Sequence, residues 1–127
     1  MTVHGQFHWN ELMTRNAGKA KDFYADTIGW TFEEMNMGEG PSYFVAHAAG
    51  GPVAGIFTMQ GPEFDGTAEG WMAYLHVDDL DEALEKARMK GAIILRAPFD
   101  VPDVGRIAML KEPGGAVIGW MTPAAQS

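Results

Sequence analysis

The chain has no cysteine. That absence excludes disulfides, thiolate nucleophiles and the zinc and iron–sulfur sites built on sulfur ligands. Basic residues are scarce as well: nine Lys and Arg stand against 17 Asp and Glu, for a net charge of −8. A charge of that sign repels phosphate backbones, and no basic patch opposes it, so nucleic acid is not an expected partner. Lys19 and Lys21 share one predicted helix, while Lys86, Arg88 and Lys90 share another with Asp81, Glu82 and Glu85; both sets read as solvated faces. No apolar run approaches the roughly 20 residues of a bilayer span, and the segment 1–5 lacks a charged-then-apolar signal pattern. A cytoplasmic protein that does not enter membranes is expected. Gly38-Glu39-Gly40, Gly50-Gly51 and Gly114-Gly115 form neither a dinucleotide fingerprint nor a P-loop and read as hairpin turns. No nucleophilic triad is visible, because Ser42 and Ser127 lack a patterned His partner.

What the chain does have is a repeat. Trp9 lies 20 residues before Gly29, and Trp71 lies 20 residues before Gly91, so two similar frames are offset by 62 positions. In the first, Phe7 to Met13 alternates as a strand, Asn16 is a plausible helix N-cap, and Ala17, Ala20, Phe23, Tyr24 and Ile28 recur at helical spacing before Gly29. Strands are predicted at 31–35, 43–48 and 53–59, with a glycine-rich turn at 37–42. Residues 61–70 read as a linker. The pattern then restarts with a strand at 71–77, a helix capped by Asp78 or Asp79 and running to Lys90, and strands at 92–97, 106–110 and 116–121, the last two joined by the turn Glu112-Pro113-Gly114-Gly115. Two βαβββ units, about 5–60 and 71–122, therefore make one α+β domain spanning 1–127; at 46% hydrophobic the chain can bury one core but not two independent ones.

The segments Trp9-Asn10-Glu11-Leu12-Met13-Thr14, Ala20 to Tyr24 with Gly29-Trp30, Tyr74 to Leu80, Val104 to Ala108 and Glu112 to Ala116 together resemble the vicinal oxygen chelate superfamily. That superfamily includes glyoxalase I, extradiol dioxygenases, fosfomycin resistance proteins and bleomycin-binding proteins; the segments resemble in particular its glyoxalase-like branch related to lactoylglutathione lyase. The resemblance implies a glyoxalase-like fold, in which the units form an open, cup-shaped barrel, commonly in a homodimer. In metal-dependent members, His, Glu or Gln on the first and last strand of each unit holds a divalent ion, leaving positions open for substrate oxygens. Aligned through the helix and its terminal glycine, those slots fall at Trp9, at Gly55 or Ile56, at Trp71 or Met72, and at Gly119. None is a usable ligand, so no metal and no other cofactor is expected. His8 is a strand neighbour of the first slot and faces the opposite side.

The remaining candidates each carry two readings. Glu11 shares a face with Phe7, Trp9 and Met13; pointing inward, it is a carboxylate whose desolvation suits a general acid or base, and otherwise it is a hydrogen-bonded structural residue. The face Trp71, Ala73, Leu75, Val77 is apolar and suits the helix side, which leaves Met72, Tyr74 and His76 toward the cup. His76 is the second candidate acid or base, or a solvated strand-end histidine. His47 has the same ambiguity, and His4 is placed in an uninvolved tail. Trp9, Met72, Tyr74 and Phe57 are candidate substrate-binding residues for a planar or apolar molecule. Arg106 binds an anionic group of the substrate, or pairs with Asp100 or Asp103. The expected partner is a small organic molecule. Two function classes stand: a metal-independent enzyme moving a proton on a carbonyl or hydroxylated aromatic substrate, or a bleomycin-resistance-like sequestering protein with an acidic surface. A third reading is a lyase or dioxygenase with an atypical metal site built from Glu11, His8, His47 or His76.

Overall fold

In the computed structural model, Asn16 opens the first helix and Gly29 ends it, as their chemistry requires. The Asn16 carboxamide accepts the Lys19 N–H at 3.0 Å, and Gly29 takes a left-handed φ of 80° while its N–H returns to the Tyr24 carbonyl. The second helix repeats the logic. Asp79, rather than Asp78, is its cap, accepting the Glu82 N–H at 3.1 Å; Asp81 and Glu82 in the first turn and Lys86 and Arg88 in the last complement the helix dipole.

The structure describes every residue except Met1, Met37, Pro102, Asp103, Gln126 and Ser127. Asp103, one of the carboxylates considered for Arg106, therefore lies outside the described residues, as do Ser127 and the first residue of the expected 37–42 turn. The elements run β1 Phe7–Thr14, α1 Ala17–Ile28, β2 Thr31–Met35, β3 Tyr43–Ala48, β4 Gly51–Thr58, a 3-10 turn Pro62–Phe64, β5 Gly70–His76, α2 Leu80–Met89, β6 Ile93–Val101, β7 Gly105–Lys111 and β8 Val117–Pro123. This is βαβββ twice, the α+β architecture expected. The chain gathers into two units, Trp9–Met72 and Met1–His8 with Ala73–Ser127.

In the Trp9–Met72 unit the strands lie in the order β2-β3-β4-β1, with β1 and β4 parallel and the other pairs antiparallel. Its helix-side core joins Leu12, Ala17 and Ile56 to Ala20, Tyr24, Phe32 and Phe44. In the other unit the order is β5-β8-β7-β6, with β5 and β8 parallel. Val77, Leu80, Leu84 and Leu110 are buried there beneath α2. The parallel pairs set Glu11 opposite Gly55 in the first unit and Tyr74 opposite Gly119 in the second.

Four details depart from the sequence expectation, each for a physical reason. β6 continues to Val101 because β7 pairs along its whole length, absorbing register shifts near Arg96 and around Pro98, which has no N–H to give. Residues 60–70 are fastened to the end of β1: Arg15 donates to the carbonyls of Phe64 and Thr67 at 2.7 and 2.9 Å, and Thr14 donates to Glu69. That hydroxyl bond and the Arg15 guanidinium hold the Glu69 carboxyl below the usual carboxylate range. The N-terminal residues fold back, with Gly5 and Gln6 hydrogen-bonded to the backbone of His76. Lys21 leaves its solvated face, placing its ammonium 4.8 Å from the centre of the Phe44 ring.

Because each cap satisfies one orphan helix N–H, Asn16→Ala and Asp79→Ala should each lower stability by about 1 kcal/mol. Urea unfolding of the two single variants and the double variant should give nearly additive losses.

Candidate functional site

Leu12 and Ile56 point toward α1, so strand alternation turns Trp9, Glu11, Met13, Gly55 and Phe57 to the opposite face. Tyr43 and Val45 of β3 join them, since Val45 sits opposite Gly55. Here three side chains form a chain of hydrogen bonds. The Trp9 indole donates to the Tyr43 hydroxyl at 3.0 Å, and the Tyr43 hydroxyl donates to Glu11 Oε2 at 2.9 Å. Burial first, and the Glu11 charge second, push the Tyr43 hydroxyl pKa well above the usual phenol range. The phenol therefore keeps its proton throughout physiological pH and holds Glu11 as a donor. The ring reaches this position because Gly55 lies beneath it: a β-carbon at residue 55 would collide with the phenol oxygen and the ring carbons next to it. Phe57 meets Phe64 at 5.6 Å between ring centres. His47, at the far end of β3, lies 3.6 Å from Glu33 in an ion-pair geometry.

The second unit repeats the steric device with different chemistry. Tyr74 is buried with its ring over Gly119, where a β-carbon would again strike the ring. His76 is only 15% exposed, with Nε2 3.5 Å from Asp78. Its Nδ1 lies 3.0 Å from the Thr2 hydroxyl, which also lies 2.6 Å from His8 Nδ1. The hydroxyl has one proton, so it donates to one ring and accepts from the other. The two imidazoles meet edge to face at 6.0 Å. Burial first, and the nearby His76 second, hold the His8 pKa below the ordinary histidine value. His4, expected to be uninvolved, accepts the Asp78 backbone N–H at 2.9 Å just before α2.

The structure thus brings Trp9 and Glu11 together and adds Tyr43, which the sequence did not single out. The available signal was indirect: glycine at two expected ligand slots leaves a space that some neighbour must fill. Met72 is buried. Arg106 takes the salt-bridged arrangement. It pairs in register with Thr122, whose hydroxyl accepts the Leu80 N–H at the start of α2, so it lies on the helix side, away from Tyr74 and Gly119. Its guanidinium is held by Asp81 at 2.9 and 3.1 Å and by Asp100 at 3.1 Å. This is the salt-bridge alternative, and the bidentate carboxylate comes from α2.

Residues 6–119 match the family model of the Glyoxalase/Bleomycin resistance protein/Dioxygenase superfamily. The chain belongs to this superfamily. It is 35% identical over 122 residues to CFP32 of Mycobacterium tuberculosis, a provisionally named glyoxylase, covering 96% of this chain and 46% of that protein. It is 27% identical over 119 residues to the anthracycline biosynthesis protein DnrV of Streptomyces peucetius, covering 85% and 43%. The chain spans about half the length of the curated relatives it matches. Among solved structures, Bacillus halodurans BH1468 superposes with a TM-score of 0.73 at 10% identity, covering 98% of this chain and 99% of that one. A Streptomyces coelicolor methylmalonyl-CoA epimerase variant, in complex with 2-nitronate-propionyl-CoA, gives 0.70 at 17% identity, covering 97% and 100%. These likenesses are of fold. No helix among the described residues is long and apolar enough to cross a membrane.

The superfamily's divalent ion does not fit the residues present. The first-strand slot of the Trp9–Met72 unit is an indole that donates its N–H to Tyr43, and the last-strand slot is Gly55, Ile56 being turned to α1. Tyr43 fills the room a ligand side chain at residue 55 would need, and Tyr74 does the same at Gly119. Met72, on the Tyr74 face of β5, offers only a thioether. Among the described residues no three His, Asp or Glu side chains gather closely enough to hold a metal ion.

Gly55→Ala should cost about 1–3 kcal/mol by forcing the Tyr43 ring aside. Most of that loss should vanish when Gly55→Ala is measured in a Tyr43→Ala background, a cycle read by urea unfolding. For His8 the sign follows from its lowered folded pKa. The unfolded chain binds more protons in the window below the ordinary histidine value of 6.5, so stability falls as pH drops from 7 toward 5. His8→Asn should flatten that decline in thermal melts taken across the same range.

Proposed function

We propose that the protein binds a small organic molecule on the Trp9–Glu11–Tyr43 face and moves a proton to or from it through Glu11, without a divalent ion. The observation that carries this reading is the bridging Tyr43 hydroxyl, donor to Glu11 at 2.9 Å and acceptor from Trp9 at 3.0 Å. A carboxylate fixed in this way needs no reorganisation to meet a substrate proton, the pre-organisation that general acid–base catalysis requires. Tyr43 is a positioning group: its proton is held too tightly to be given up. Trp9, Met13 and Phe57 supply the apolar surface on which a planar carbonyl compound or hydroxylated aromatic can lie. Small organic ligands are the common element in the names of the related proteins, anthracyclines for DnrV and acyl-CoA derivatives for the epimerase.

The second reading, a sequestering protein without turnover, is favoured by the net charge of −8, which suits a cationic guest. One substitution separates the two. Glu11→Gln keeps the shape of the site and removes the base. With aryl methyl ketones and phenolic ketones in heavy water, the unmodified protein should catalyse deuterium uptake at the carbon beside the carbonyl. Glu11→Gln should slow that uptake by about 10²–10⁴-fold, while Tyr43→Phe should cause a smaller loss. Ligand binding that survives in Glu11→Gln, with no uptake catalysed by either protein, selects sequestration.

A further inference from the structure

The α2 side of the second unit contains a groove of about 640 Å³, within the range of small-molecule sites. We propose that it is a second ligand site, separate from Glu11, for a neutral or cationic apolar molecule carrying one hydrogen-bond acceptor.

Three observations carry the proposal. The first is the wall: α2 offers the groove Ala83 and Ala87, with Ala92 after it, side chains too short to fill the space above Leu75, Val77 and Leu110. The second is Trp120, which lines the same groove. Strand register sets it between Leu75 and Ala108 on the helix side of the sheet. Its indole N–H is buried and has no hydrogen-bond partner among the described residues. An indole can only donate, and a buried donor left unmade costs stability that an incoming acceptor restores. Bulk water does not reach this N–H, so the acceptor displaces no hydrogen bond already in place. The third is charge: the rim carries Asp78, Asp79, Glu82 and Glu112 against Lys86 and Lys90, with Lys86 already paired to Glu82 at 3.1 Å. That acidic excess turns away carboxylates and phosphates and admits neutral or cationic molecules.

The test uses indole N–H signals of the 15N-labelled protein, with the Trp120 signal assigned by its loss in Trp120→Phe. Three probes of similar size are titrated: 4-phenyl-2-butanone, n-butylbenzene and 4-phenylbutanoate. The ketone should shift the Trp120 signal downfield and bind about tenfold more tightly than the hydrocarbon, and the carboxylate should bind more weakly than the ketone. In Trp120→Phe the advantage of the ketone should disappear. Ala83→Leu fills the groove and should abolish ketone binding; the milder Ala83→Val, should the larger side chain unfold the helix, should weaken it at least threefold. Glu11→Gln should leave every titration unchanged. A Trp120 signal unmoved by the ketone, a shift of equal size in the Ala83 variants, or a ketone that binds no better than n-butylbenzene overturns the proposal. Deuterium uptake through Glu11 is read separately, so either site can fail without the other.

Discussion

A tyrosine ring stands where a glycine has no side chain, and the helix-distal face of each unit depends on that exchange of volume. At Gly55 the occupant is Tyr43 and at Gly119 it is Tyr74. Packing this close leaves no room for a β-carbon, so the glycine and the tyrosine are one steric unit. The exchange also decides the chemistry available. A side chain long enough to ligate a metal cannot occupy the glycine position while the ring is there, and in the first unit the ring carries a hydroxyl to the point between Trp9 and Glu11.

The Tyr43–Glu11 contact fixes which of the two groups holds the shared proton. Two acidic groups share one hydrogen bond, and burial together with the carboxylate's charge places the proton on the phenol. The bond is then charge-assisted and stronger than one between neutral groups. Trp9 completes the arrangement by donating to the same oxygen.

How much of this is legible in the amino-acid order depends on the range of the interaction. Asn16, Gly29, Asp79 and Gly91 mark helix ends through contacts three to five residues away, and both helices begin and end within a residue of where those signals put them. The repeat reveals the βαβββ pairing because it is itself a sequence pattern. Cross-strand identity is different: Tyr43 meets Glu11 across 32 positions, and Arg106 meets Asp81 across 25. Nothing local to Arg106 distinguishes α2 from a substrate as its partner; Thr122 in the neighbouring strand settles which face it takes. The fastening of residues 60–70 was equally hidden, since Arg15 bonds to backbone carbonyls that any sequence presents. His76 looked available from strand alternation, but Thr2, which bridges it to His8 of β1, comes from an N-terminal segment that carries no periodicity to place it.

The repeat is also broken where it matters most for ligands. Both units keep a glycine under a tyrosine, but the ring comes from β3 in the first unit and from β5 in the second, where Tyr74 takes the register position opposite the glycine that Glu11 holds in β1. On the helix-proximal faces the contrast is again one of side-chain volume. α1 is backed by Tyr24, Phe32 and Phe44, aromatic rings large enough to fill the layer. α2 is backed by Val77, Leu110, Ile94, Ile118 and Trp120, whose indole N–H has no hydrogen-bond partner among the described residues. A duplicated fold supplies two equivalent pairs of surfaces, and substitutions of size rather than of backbone have made the two copies unequal. One helix-distal face holds an oriented carboxylate, and one helix-proximal face has a donor and an unfilled volume. Chemistry and recognition can diverge on such a scaffold independently, since each depends on residues that the other does not touch.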